Sequence, residues 1–276
     1  MKVAYLVCVW ILFLLTGCNS LPFQKTIPPE TPIKIVVSQI RMEAPLSSPS
    51  DLYSFKESIP TEDRPIVLAQ LTEEIETRAQ RLFTEQLVQQ EGFIVVPFDK
   101  AYQMRTENNS PSLWFDKEQR ISMGSQAGAD IVISGRILDF GKVQWQYWVT
   151  GLLLSMTVET LIVGAATGFN PGIMAIAAAS ELVTDLPFWW GGAYIAGWAF
   201  RPVRINVKAV QISGCEQVIW REEELMVRIP GKSLRKHSPE EQKRKEVQLG
   251  VNLEETLKEL AKIAGRELRL KPCKKI

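Results

Sequence analysis

From Val143 to Phe200 the chain carries only three charged residues, Glu159, Glu181 and Asp185, although charged side chains make up 23% of the whole sequence. A stretch that apolar must pack inside a domain, face lipid or face another protein, because an apolar surface left in water invites association. Its first part, Trp148 to Phe169, is long enough as a helix of about 33 Å to cross a bilayer. Asn170-Pro171-Gly172 reads as a turn, the Ala-rich run Ile173 to Thr184 favours helix, and Asp185-Leu186-Pro187 should break it. Beyond that break the large residues Phe188, Trp190, Tyr194, Trp198 and Phe200 recur in steps of two or four, with Gly191, Ala193, Gly197 and Ala199 between them. Period two suits a strand with one aromatic face, as in a barrel wall. Trp190, Tyr194 and Trp198 also fall four apart, as on a helix face, and Trp189 fits neither stripe.

Three readings of the segment stay open. Two helices form a hairpin at a membrane or oligomer contact, with Gly164, Ala165 and Ala166 approaching Ala175, Ala177, Ala178 and Ala179. Alternatively, the segment supplies membrane strands, or it packs as a core helix pair on the sheet of a soluble domain. In the first reading Glu159 must face a partner or a pore, since a carboxylate is costly in lipid. The candidate contact residues are Trp148, Glu159, Phe188, Trp190, Tyr194, Trp198 and Phe200.

The chain around this insert reads as an α/β layer domain. Ile33 to Met42 is apolar and β-branched, a strand buried on both faces. Leu68, Leu71, Ile75, Ala79, Leu82, Phe83 and Leu87 stripe a helix over about Pro65 to Glu91, stopped by Gly92. Phe93 to Phe98 reads as a short buried strand, followed by a polar loop. Asp116 with Gln119 opens a helix that Gly128 ends, and a β-rich run reaches Gly141. After the insert, Val203, Ile205, Val207 and Ala209 alternate with Arg204, Asn206 and Lys208, and Gln217 onward supplies the second strand of an antiparallel hairpin. Ser238-Pro239-Glu240-Glu241 is a capping box for a last helix striped by Leu249, Leu253, Leu257, Leu260 and Ala264 and capped by Gly265. The expected order is β-α-β-α-β, the apolar insert, then an antiparallel hairpin and a C-terminal helix.

The amino terminus adds a location. Lys2 precedes an unbroken apolar run from Val3 to Leu15, which suits a signal peptide and is short for a spanning helix. Leu15-Thr16-Gly17-Cys18 resembles the bacterial lipobox. That resemblance implies cleavage before Cys18 and palmitate-type acylation of it, hence membrane lipid as a partner. Asn19 follows the cysteine where an Asp would imply inner-membrane retention, so the resemblance favours the outer membrane, facing the periplasm. Residues 1–17 are then a lipoprotein signal peptide and 18–32 a Pro-rich tether, leaving a mature chain with as many basic as acidic side chains. That balance gives no field for nucleic acid. In an oxidising periplasm Cys215 and Cys273 are expected to pair as a disulfide.

"GADIVISGRILDFG" (Gly128 to Gly141), after a helix ending in "SQAGA", and the earlier "LVQQEGFIVVPFD" resemble phrases of a family of envelope lipoproteins. This CsgG-like type includes LpoB, PelC and the amino-terminal domain of TolB. The resemblance covers about residues 33–140 and 202–265, within a domain of 33–142 and 201–276, and leaves the insert 143–200 unmatched. It implies a non-enzymatic module: a structural or export (secretion) component working through a homo-oligomer, or a soluble periplasmic docking lipoprotein that regulates an envelope enzyme or machine, with the insert packed as core. Nothing in the residues suggests a catalytic site, a cofactor or a metal centre. His237 sits in a charged stretch, "GAATGFNPG" lacks the lysine of a phosphate loop, and Glu73, Glu74 and Glu76 read as a solvated helix face. The basic residues Lys232, Arg235, Lys236, Lys243, Arg244 and Lys245 read as a solvated loop beside acidic neighbours.

Overall fold

The computed structural model describes residues 32–55, 59–107, 116–142, 145–190, 193–195, 198–214, 216–228 and 234–270. They divide into two compact units: residues 150–186 form one, and the remainder forms the other.

The larger unit is α/β, built on a six-stranded mixed sheet. Its elements are β1 (Ile33–Met42), α1 (Arg64–Val88), β2 (Phe93–Val95), α2 (Phe98–Glu107), α3 (Lys117–Ala127) and β3 (Ile131–Phe140), then β4 (Ala193–Ile195), β5 (Trp198–Gln211), β6 (Gln217–Arg228), α6 (Pro239–Gln242) and α7 (Lys245–Glu267). The strands run in the order β2-β1-β3-β5-β4, with β6 also paired to β5. β1 pairs parallel with β2 and β3, and the other pairs are antiparallel. The crossover from β1 to β2 and the next one, from β2 past β1 to β3, run in opposite directions. With both right-handed, their helices fall on opposite faces of the sheet, as the core clusters record: α1 packs on one face, and α2 with α3 on the other.

The main core lies on the α1 side. Ile35, Ile133, Ile137, Val203, Ile205 and Val207 from the strands meet Phe83 and Leu87 of α1 and Leu249, Leu253, Leu257, Leu260 and Ala264 of α7. The expected stripe of α7 is wholly in this core. In the stripe of α1, Leu68, Leu71 and Leu82 are only partly buried at its margin. Across the sheet, Ala101, Met104, Met123 and Ala127 close a smaller core over Val36 and Val132.

Several local expectations are corrected. β2 covers only three residues, and Phe98 opens α2 where a loop was expected. Ala101 and Met104, a helical step apart, hold α2 to the sheet, so a short and mostly polar helix is stabilised by two buried contacts. Asp116 caps α3 by accepting from the Gln119 backbone N–H at 3.1 Å, whereas the Gln119 Oε1 atom is buried without a partner, so only half the expected box forms. Gly128 ends α3 in the left-handed region, with φ 58°. The Ser238 capping box is present, but it serves the four-residue α6, and α7 starts afresh at Lys245. Gly265 lies inside α7 instead of capping it. A Cβ there would come 2.7 Å from Gln90 Oε1, so the glycine serves close packing against the end of α1. The β5–β6 hairpin has the expected alternation, with a register shift between Ala209 and Val210.

The smaller unit lies within α4 (Trp145–Ala166) and α5 (Pro171–Trp190). The turn between them is as expected. Asn170 Oδ1 accepts from the backbone N–H groups of Gly172 at 3.0 Å and Ile173 at 3.3 Å, and Pro171 opens α5, where its missing N–H has no helical partner. Gly168 and Phe169 both take positive φ, 65° and 60°. A Cβ on Gly164 would meet Phe169 and Met174 at 3.1–3.3 Å, so the two helices come together there through a small residue. Asp185-Leu186-Pro187 does not break α5. The helix continues to Trp190, since a proline this close to a C-terminus costs one backbone bond while the final turn still forms.

Candidate functional site

The described side chains of 150–186 set this unit apart. Leu153, Leu154, Val158, Leu161 and Ile162 of α4, Phe169 of the turn, and Ile173, Ile176, Leu182 and Val183 of α5 are all exposed. Leu154 is 66% exposed, Ile176 71% and Val183 74%, values usual for lysine and unusual for aliphatic residues. Leu154, Val158, Leu161 and Ile162 recur at helical spacing and so share one face of α4. Leu152 is the buried large hydrophobic residue among the described side chains of this unit. Within this unit the two helices meet along one seam, which offers these side chains too little surface to bury them.

Three hydroxyls of the hairpin bond back to their own helix. Thr157 Oγ1 donates to the Leu153 carbonyl at 2.6 Å, Thr167 Oγ1 to the Val163 carbonyl at 2.8 Å, and Ser180 Oγ to the Ala177 carbonyl at 2.8 Å. Hydroxyls bonded to their own helix make no demand on what the helix touches. Glu159 is exposed. Among the described residues, no helix is long and apolar enough to cross a membrane.

The aromatic candidates divide between structures. Trp148 lies in α4, Phe188 and Trp190 in the last turn of α5, Tyr194 in β4, and Trp198 and Phe200 at the start of β5. β4 and β5 pair antiparallel, with Tyr194 opposite Ala199 and Ala193 opposite Phe200. Helical and strand spacing thus both occur, in succession, and the side chains of these six aromatics lie outside the described ones. Cys18, Cys215 and Cys273 also lie outside the described residues.

Elsewhere, Glu76 is not simply solvated. Its carboxylate accepts from the Met42 backbone N–H at 2.7 Å, beyond the end of β2, where β1 has lost that neighbour, and burial pushes its pKa up. Glu73 and Glu74 line a shallow groove along α1 with Gln70, Thr77, Arg78 and Arg81. Arg244 pairs with Glu246 at 2.6 Å, and Arg235 and Lys236 are exposed, as expected of a solvated basic stretch. Among the described residues, no three His, Cys, Asp or Glu side chains are grouped to hold a metal. A buried pair, Arg204 Nε to Asp139 Oδ2 at 2.6 Å, joins β5 to β3, and Arg204 also reaches Glu223 of β6 at 3.1 Å.

No protein-family model and no curated protein sequence matches the chain. Among solved structures, the chain is similar to the LpoB C-terminal domain of Salmonella enterica, at TM-score 0.30 and 7% identity over 74% of this chain and 87% of that one. It is similar to lipoprotein GNA1162 of Neisseria meningitidis, at TM-score 0.30 and 11% identity over 71% and 82%. It is also similar to the hypothetical protein CT253 of Chlamydia trachomatis, at TM-score 0.38 and 10% identity over 86% and 99%.

Proposed function

We propose that this chain is a non-enzymatic envelope lipoprotein, held to the membrane by an acylated Cys18, whose apolar α4–α5 hairpin assembles copies of it into a structural or export complex. The exposed aliphatic face of the hairpin carries this reading. Each of its large side chains, once buried, contributes about 1.5–3 kcal/mol, so several together support a stable interface. A second copy brings an identical apolar face, and cyclic packing buries one against the next. The hydroxyls of Thr157, Thr167 and Ser180, bonded to carbonyls of their own helices, support the same reading, because they let that surface desolvate without stranding these donors. In this proposal the acylated Cys18 supplies the membrane attachment. Two or three acyl chains on one cysteine suffice for that, at about 0.8 kcal/mol per buried CH₂. The Cys215–Cys273 disulfide and an outer-membrane, periplasm-facing location remain part of the proposal.

Radiolabelled palmitate tests the anchor. Incorporation abolished by Cys18→Ser supports it, and labelling that persists in that variant removes it. A count of two free thiols in the unreduced mature protein would remove the disulfide.

A further inference from the structure

The face of the sheet that carries the smaller core changes character toward β6. Past Val36 and Val132, the side chains on this face form two polar rows across the strands. One runs Gln39 (β1), Ser134 (β3), Lys208 (β5), Arg221 (β6). The next runs Arg41, Arg136, Asn206, Glu223. Lys208 thus stands directly opposite Arg221, and Arg41 directly opposite Arg136. Like charges at opposed positions, with Cβ atoms about 5 Å apart, destabilise a sheet. A cation on an edge strand can guard against unwanted pairing, which accounts for Arg221 on β6. It does not account for Lys208 on β5, which has strands on both sides.

The floor and rim of this patch differ. Gln39, Asn206 and Lys208 are buried, at 4%, 7% and 7% exposure, whereas Arg41 and Arg221 are exposed around them. Arg41, Lys117, Arg120, Arg136, Arg204, Lys208 and Arg221 meet the carboxylates of Glu43, Asp139, Glu216 and Glu223 here, so positive charge exceeds negative. Burial, and then the guanidinium groups of Arg120, Arg221 and Arg136, push Lys208 down to about 8. In the floor, Gln39 Nε2 is a buried donor with no partner, and Asn206 Oδ1 is a buried acceptor with none, its Nδ2 donating to Glu223 at 3.1 Å. A buried donor without an acceptor is costly and calls for an explanation.

We propose that this patch, with Gln39, Asn206 and Lys208 as floor and Arg136 and Arg221 as rim, binds a phosphate group. A phosphate anion suits this positive excess and presents several acceptor oxygens to donors from β1, β3, β5 and β6. The O–H of hydrogen phosphate, or of a singly ionised phosphomonoester, is what Asn206 Oδ1 can accept. Neither the hairpin nor the lipid anchor enters this inference, and it stands independently of the assembly proposed above. The source is a free phosphate or phosphomonoester, or a lipid headgroup of the same chemistry.

The test is thermal unfolding of the full chain in mild detergent, titrated with sodium phosphate against sodium chloride at equal ionic strength. Short-chain phosphatidic acid below its micelle concentration serves as a second arm. A saturable rise in Tm with phosphate supports the site and a soluble source; a rise with the phosphatidic acid alone supports the site and a lipid source. Arg221→Glu replaces an opposed like-charge pair with an opposite-charge one. It should unfold no earlier than the native chain and bind phosphate about tenfold or more weakly, the scale of one charge-assisted contact. Gln39→Met should weaken phosphate binding while leaving the response to chloride unchanged. Equal shifts with phosphate and chloride, or equal phosphate affinity in the native chain and both variants, overturn the proposal.

Discussion

The two units of this chain use the same aliphatic residues to opposite ends. In the sheet unit, Ile, Leu and Val from six elements converge, and Phe83, Ile35, Ile133 and Leu257 retain almost no exposed surface. In the hairpin unit, two helices carry as apolar a composition, yet Leu154, Ile176 and Val183 remain mostly exposed. A sheet with helices on both faces has concave and layered surfaces to bury side chains against. A two-helix hairpin has one seam, and the residues off that seam need a partner from elsewhere. Apolar composition thus marks a burial requirement, and the topology decides whether the chain meets it alone.

Substitutions should separate the units by size of effect. The largest loss is expected in the sheet core: Phe83→Ala should cost about 3–5 kcal/mol in urea unfolding, whereas Leu154→Ala, far more exposed, should stay within about 0.5 kcal/mol in a dispersed sample. Similar losses at both positions would break the comparison. Asp139→Ala comes next. It leaves the buried Arg204 guanidinium with only the half-exposed Glu223 as an anionic partner, and should cost about 3 kcal/mol, with Asp139→Ala/Arg204→Met recovering much of it.

A smaller effect, of opposite sign, concerns Lys208, whose folded pKa of about 8 lies below its ordinary 10.5. Between these values the unfolded chain binds more protons than the folded one. Stability attributable to Lys208 therefore rises as pH increases from about 8 to 10.5, and its cost is fully present below 8. Lys208→Met should raise stability at pH 7 by a few tenths to about 1 kcal/mol and remove that part of the pH slope. A variant less stable at pH 7 with the slope intact would contradict the desolvated-cation account. Smallest of all, Ser238→Ala should remove the cap of α6 for about 1 kcal/mol or less, detectable as faster hydrogen exchange at the Glu241 amide.

The sequence made the layers legible because their signals are local. The α7 stripe, the Gly128 stop and the Asn170-Pro171 start each depend on residues within a turn or two. α2 escaped notice because only Ala101 and Met104 of its ten residues reach the core, too few for a visible period. The true place of the Ser238 cap was hidden because the break at Lys243 and Arg244 separates it from the long helix it seemed to serve. The aromatic run resisted a single period because it is first helix and then hairpin. The opposed cations were beyond reach for another reason. The alternation Arg204, Asn206, Lys208 is plain, but which residues face them on β3 and β6 depends on register and on the shifts near Ile137 and Ala209. Likewise, the apolar insert announced a burial requirement, and only its geometry distinguishes exposed faces from core.

The mass of the complex in mild detergent tests the central claim most directly, compared between the native chain and Ile176→Glu/Val183→Glu. The account expects a multimer for the native chain and a monomer of unchanged Tm for the variant, since both substitutions fall on exposed positions. A native chain that runs as a monomer, or a variant that keeps the native mass, would contradict the hairpin as the assembly surface.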